Sequence, residues 1–188
     1  MRTTGCDIRC VYCDEAHAFS GGERLLLDEA VKRVAALGTK LVEITGGEPL
    51  LQRAVPELAR RLLDSGHEVL IESGGHRDIS EIDPRARLIL DVKTPGSGMQ
   101  EHNHLENLER LRAHDEVKFV LCDRADYEWA RNFVRDRALH TRVPVHFSPV
   151  HPGLSPRDLC AWILEDGLPV RLNLQLHKYI WGPGARSV

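Results

Sequence analysis

The chain's 188 residues suffice for one domain with a full apolar core, and 42% hydrophobic with 28% charged residues is ordinary for a soluble α/β protein. A formal net charge of −3 excludes a global basic footprint for nucleic acid, and no apolar run approaches the ~20 residues that cross a bilayer. Five cysteines, three of them clustered, argue against a disulfide framework and for a reducing, cytoplasmic setting, with no charged-then-apolar signal segment at the start.

A strand stub precedes Cys6, and Cys6, Cys10 and Cys13 follow in a CxxxCxxC loop. Leu27, Ala30, Val31, Val34 and Ala35 share one face of a helix that Gly38 ends as a C-cap. A strand over residues 41–45 comes next. Pro56 opens a second helix, Leu58, Leu62 and Leu63 give it a core face, and Gly66 stops it. Further strands are expected at 68–72, 88–92, 117–122, 143–147 and 170–176, with helices at 101–113, 125–138 and 156–165. The strands read as short, near-continuous apolar runs, the pattern of parallel strands buried on both faces. The repeat is ~27 residues, one βα step. Six strands and a stub fall short of the ~250 residues of a closed eight-stranded barrel. The expectation is an α/β fold, a partial (βα)n TIM-like barrel of about six parallel strands with a truncated first strand. No linker divides it, so residues 1–188 form one domain with a cluster loop at 5–15.

Polar motifs fall where strands end. Gly46-Gly47-Glu48-Pro49 follows one strand, Glu72 to Gly75 ends the next, and Asp91 to Gly98 follows the third. Asp123 to Asp126, Ser148 to His151 and Gln175 to Lys178 follow the last three. Carboxyl ends of strands are the face on which βα enzymes place their chemistry, and six motifs in step exceed what turns require.

Three thiolates are one fewer than a closed tetrahedral metal site needs. On a cubane iron–sulfur cluster they leave the fourth iron open to a small molecule. Zinc is the rival, since His17 follows Cys13 and would complete a Cys3His site. Against it, the loop lacks the second ligand pair of zinc modules and precedes a βα scaffold. Cys122 and Cys160 read as small buried hydrophobes.

CxxxCxxC with the Gly46-Gly47-Glu48-Pro49 strand end resembles the radical S-adenosylmethionine (SAM) superfamily. Cys13-Asp14, Ser20 to Glu23, Thr45 to Pro49, Asp91 to Gly98, Val117 to Asp126, Phe147 to Val150 and Gln175 to Lys178 resemble, within it, the 7-carboxy-7-deazaguanine synthase family. The likeness runs from Gly5 to Trp181. It implies a radical SAM type of barrel and a lyase of queuosine and 7-deazapurine biosynthesis. That enzyme would convert 6-carboxy-5,6,7,8-tetrahydropterin to 7-carboxy-7-deazaguanine with loss of ammonia, using SAM catalytically. It implies a 4Fe–4S cluster on Cys6, Cys10 and Cys13. SAM would be met by Tyr12, Cys13, Asp14, Gly46, Gly47, Glu48, Ser73, Asp91, Val92, Lys93 and Ser148. Gly46 and Gly47 would let the backbone approach SAM closely. Thr45 and His177, the latter at the end of the last strand, would contact the pterin substrate, and imidazole suits a pterin edge at neutral pH. The resemblance further implies Mg2+, an electron donor such as flavodoxin, and a homodimer.

Three departures stand out. Glu15 occupies the place of the family's magnesium-binding Thr or Ser, and a carboxylate is itself a good hard-cation ligand. Glu72-Ser73-Gly74-Gly75 replaces Glu-Thr-Ser-Gly. The family's upstream strand, Gln-Gly-Glu loop and substrate-holding arginine have no counterpart before Cys6, so that edge of the substrate site is expected to be truncated or rebuilt. Alternative readings are another radical SAM enzyme of the activase type, a non-catalytic truncated homologue, or a zinc-binding protein. The Asp91–Gly98 and Gln175–Lys178 stretches disfavour the activase.

Overall fold

The computed structural model describes residues 1–185. One seven-stranded sheet orders its strands as they occur in the chain: β1 (Arg2–Thr3), β2 (Leu41–Gly46), β3 (Glu68–Ser73), β4 (Arg87–Asp91), β5 (Glu116–Leu121), β6 (Val145–Pro149) and β7 (Arg171–Leu172). Every pair is parallel. Sequential parallel pairing, with right-handed crossovers, winds such a sheet into a partial barrel. β1 pairs only Arg2 with Thr45 and Thr3 with Gly46, and is the strand stub expected before Cys6.

The strands alternate rather than run apolar on both sides. Val42, Ile44, Val69, Ile71, Leu88, Leu90, Val117, Phe119, Leu121, Val145 and Phe147 are buried. On the opposite face Glu43, Thr45, Glu72, Asp91, Lys118 and Ser148 line an open cavity. Only one face is core; the other is a polar concavity, which corrects the expectation of two covered faces.

Helices cover the apolar face. α1 (Leu27–Ala36) buries Ala30 and Val34; α2 (Val55–Asp64), with proline in its first turn, buries Val55, Leu58, Ala59 and Leu62. α4 (Arg124–Asp136) starts at Asp123, whose carboxylate accepts from the Asp126 amide at 2.9 Å. α5 (Pro156–Glu165) starts at Ser155 and buries Leu159. Fully buried leucines such as Leu62 and Leu159 are each worth about 1.5–3 kcal/mol.

The helix expected over residues 101–113 is only a 3-10 turn, Gln100–His102, and the single-turn α3 (Asn107–Arg110). Asparagine side chains dock this segment on its neighbours instead. Asn103 accepts from the Lys93 amide at 2.8 Å and donates to the Lys93 carbonyl at 2.9 Å. Asn107, fully buried, donates to the Arg77 carbonyl at 2.7 Å. The strand expected over 170–176 shrinks to two residues on the sheet edge, and α6 (Leu176–Ile180) follows. Leu172, Leu174 and Leu176 imitate strand alternation, yet Leu176 is exposed. β6 begins two residues later than expected, because the Val143 amide donates to the Leu139 carbonyl at 3.0 Å in the preceding turn and Pro144 has no N–H for the ladder.

Candidate active site

The carboxyl ends of the strands surround a cavity of about 520 Å³. Its walls come from the cysteine loop, the loops after β2, β3, β4 and β6, the inner face of β2 to β6, and α6.

Cys6, Cys10 and Cys13 are free, partly exposed and all on this wall. The loop is stitched to its surroundings through backbone groups. The Gly5 amide donates to the Ala18 carbonyl at 2.8 Å, and the Glu48 amide donates to the Gly5 carbonyl at 2.7 Å. The Val11 amide donates to the Ser97 carbonyl at 3.1 Å, and the Cys13 amide closes a turn on the Cys10 carbonyl at 3.1 Å. Burial pushes the Cys10 and Cys13 thiols up, and the neighbouring thiols add to this. A bound cation reverses that preference and takes the thiolates. His17, the candidate fourth zinc ligand, has its ring 3.2 Å from the Glu15 carboxylate. Among the described residues no three His, Cys, Asp or Glu side chains converge as a single-ion site. Three soft donors on a cavity wall fit an iron–sulfur cluster with one open iron.

Gly46 and Gly47 do lie on the wall, but the backbone they admit is the chain's own. A Cβ on Gly46, whose φ is +131°, would collide with the Thr3 backbone, and one on Gly47 would collide with the Gly5 carbonyl. These glycines seat β1 and the cysteine loop, a reason for glycine in addition to the one expected from sequence.

Glu48 is fully buried and satisfied inside the protein. It accepts from the Leu50 amide at 2.9 Å, the Gly74 amide at 2.7 Å and the Ser73 hydroxyl at 3.1 Å. Ser73 is thereby engaged as well. Val92 is buried in the core and does not line the cavity. Tyr12, Asp14, Asp91, Lys93 and Ser148 all line it. The Tyr12 hydroxyl is buried without a partner, and burial followed by the Asp91 charge holds it protonated, a free donor. Burial lowers the Lys93 ammonium, but Asp91 at 2.8 Å more than reverses this and raises it. Asp14 accepts from Gln175 and lies 3.1 Å from Lys178, tying α6 to the cysteine loop.

Thr45 and His177 both line the cavity, His177 from the first turn of α6 rather than from a strand end. Glu15 lines it too, with Oε1 2.8 Å from the Arg2 guanidinium. Arg2, from β1, therefore reaches the site. The sequence reading missed Glu43, Lys118 and the docking role of Asp126. Burial, then the Glu72 charge, pushes the Glu43 carboxyl up. Lys118 pairs with Glu72, which the Lys118 charge holds below the glutamate range. Asp126, fully buried, accepts from Thr94 Oγ1 at 2.9 Å, the Gly96 amide at 2.8 Å and the Cys122 amide at 2.9 Å, and so fixes the loop after β4. The alternation Glu43–Thr45, Glu72, Asp91, Lys118 and Ser148 was the available signal.

Residues 1–163 match the sequence model of the radical SAM superfamily, and the chain belongs to that superfamily, whose enzymes use a 4Fe–4S cluster and SAM. Over its full length it is 44% identical to the 7-carboxy-7-deazaguanine synthase of Koribacter versatilis, covering 90% of that protein. It is 42% identical, again over its full length, to the 7-carboxy-7-deazaguanine synthase of Chlorobaculum tepidum, covering 87% of it. Within the superfamily the chain is a member of the 7-carboxy-7-deazaguanine synthase family. The crystal structure of QueE from Escherichia coli shares the fold, with a TM-score of 0.70 at 21% identity over 93% of this chain and 83% of that one.

Proposed function

We propose that this chain is a radical SAM carbon–nitrogen lyase that turns 6-carboxy-5,6,7,8-tetrahydropterin into 7-carboxy-7-deazaguanine and ammonia. The observation that carries this reading is a single cavity with three thiols on one wall and alternating carboxylates and ammoniums on the other. Cys6, Cys10 and Cys13 hold the cluster. Tyr12, Asp14, Asp91, Lys93 and Ser148 meet SAM with their side chains, and Gly46 and Gly47 offer backbone. Bound there, cluster and SAM supply the hydrogen abstraction that starts the reaction and the hydrogen return that ends it.

The protein's part is to hold the pterin and exclude water. Thr45 and His177 address the ring edge. The Arg2 guanidinium matches the substrate carboxylate, a geometry that arginine recognises with two parallel bonds. Glu15 serves Mg2+ beside that carboxylate, together with substrate oxygens and water. Glu72 and Lys118 form a rigid polar floor. The reading carries with it a reducing donor such as flavodoxin, a homodimer and the cytoplasm as the place of work. No described helix is long and apolar enough to cross a membrane.

Anaerobic reconstitution tests it. The protein should turn brown, bind about four irons per chain and cleave SAM when reduced. Given the carboxytetrahydropterin and Mg2+, it should release ammonia and the deazapurine. SAM cleavage without that product would point to another radical SAM reaction. A colourless protein holding one zinc would defeat both.

A further inference from the structure

On the reading that Cys6 is an iron ligand, we propose that Asp7, His76 and Glu48 form a positioning chain that fixes the Cys6 arm of the cysteine loop. Asp7 is the residue after Cys6. Its Oδ1 accepts from His76 Nε2 at 2.6 Å, and its Oδ2 is paired with the Arg77 guanidinium.

The His76 side chain is only 4% exposed although its residue borders the cavity. Its Nδ1 is buried without a hydrogen-bond partner and faces the fully buried Glu48 carboxylate at 3.7 Å. The space for the ring is made by Gly74, where a Cβ would stand 3.0 Å from His76 Nδ1 and 3.1 Å from Glu48 Oε2. Glu48 also reaches the other side of Cys6, since its amide donates to the Gly5 carbonyl. Arg9 closes the bracket by donating to the Cys6 carbonyl at 2.6 Å.

Both neighbours of Cys6 are thus bolted to the loops after β2 and β3. Cys10 and Cys13 are held by their own turn, by the Val11–Ser97 contact and, after Cys13, by the Asp14 contacts to Gln175 and Lys178. A ligand whose flanks are fixed keeps its sulfur in register for the metal, and losing such outer contacts typically costs about 10–100-fold in metal affinity. His76 acts through Asp7 and the loop, as a positioning residue.

The side-chain amides of Gln and Asn separate the two ring nitrogens. Gln places its amide nitrogen near Nε2 and preserves the Asp7 contact; Asn reaches only the position of Nδ1. The experiment compares His76→Gln, His76→Asn, His76→Phe and Asp7→Asn with the parent. It measures iron bound after anaerobic reconstitution, the rate of iron loss to a chelator, and the paramagnetic signal of the reduced protein with and without SAM. The metal-free thermal midpoint of each variant checks folding. His76→Gln should keep parental iron and signal. His76→Asn, His76→Phe and Asp7→Asn should lose iron about tenfold faster or more and alter the signal, at an unchanged metal-free midpoint.

The inference is overturned if Asn, Phe and Asp7→Asn retain iron as the parent does, or if Gln loses it as fully as Phe. Should a His76 variant fail the folding check, Asp7→Asn, a change at a partly exposed carboxylate, decides the matter alone. A parent that takes up no iron at all would instead defeat the functional reading on which this rests.

Discussion

Glu72 on β3 and Lys118 on β5 are joined by an ion pair that passes over β4 on the floor of the cavity. Their alpha carbons are not register partners; Glu72 is level with Ile89 and Lys118 with Asp91. The pair therefore braces three strands on the face that lies outside the apolar core. Thr45 Oγ1 donates to Glu72 at 3.4 Å and extends the brace to β2.

Lys118→Met should cost about 2–3 kcal/mol, somewhat less than the 3–5 of a fully enclosed pair, because the cavity admits water to the stranded carboxylate. Adding Glu72→Gln should restore a good part of that loss. Denaturant titration of the two single variants and the double variant measures the coupling; additive losses would show that the pair contributes nothing jointly.

The same pair fixes a pH window. Glu72 is depressed below its ordinary 4.5, so its contribution is complete above pH 4.5 and falls away as the pH drops through the lowered value. Lys118 is raised above its ordinary 10.5, so its contribution is complete below pH 10.5 and is lost only at still higher pH. The stability difference between parent and double variant should be flat from about pH 5 to 10 and shrink on the acid side first. A difference that grows on acidification would contradict the assignment.

Cys10→Ala should abolish iron binding and SAM cleavage while leaving the fold intact. Its residue lies in the loop, outside every strand and helix, and removes no core side chain. Iron content and visible absorbance should vanish, and the metal-free thermal midpoint should stay within about 2 °C of the parent, as for a substitution outside the core.

Much of this was legible in the sequence because two local signals agreed. β-branched runs between capped amphipathic helices specified the parallel order, and three cysteines at two fixed spacings specified the metal loop. What stayed hidden depends on contacts distant in sequence. Asn103 and Asn107 look like helix residues until the carbonyls of Lys93 and Arg77 claim them. Leu172, Leu174 and Leu176 alternate as a strand would, yet an edge with one neighbour pairs for only two residues. Glu43, Glu72 and Lys118 were readable as a polar face only by taking alternation seriously in strands assumed to be buried twice over. The collision of Gly46 and Gly47 with Thr3 and Gly5 has no local signature at all.

Gly47→Ala tests that collision. The added methyl meets the Gly5 carbonyl and has no flexible side chain to displace, so the cysteine loop must lift from the β2 end. The expected result is loss of about 1–3 kcal/mol of metal-free stability together with weak iron retention, as overpacking of backbone on backbone produces. Were glycine needed there only for SAM, metal-free stability and iron retention would be unchanged and SAM affinity alone would fall.

The Arg2 guanidinium lies 2.8 Å from Glu15 Oε1, so part of its charge is taken up before any substrate arrives. A substrate carboxylate must compete with Glu15 for it, and Glu15 also adds a like charge beside the incoming one. Glu15→Thr removes the competitor and leaves a hydroxyl that still suits a hard cation. Activity should be equal or higher, with KM for the carboxytetrahydropterin lowered, kcat little changed and Mg2+ still required. Arg2→Met should do the reverse, raising KM by about 10–100-fold, the worth of a hydrogen bond to a charged group. If Glu15→Thr turned over without Mg2+, the ion would not belong beside residue 15. If Arg2→Met left KM unchanged, the substrate carboxylate would have to be held elsewhere on the wall, where Lys93, Lys118 and Lys178 are the other Lys and Arg side chains.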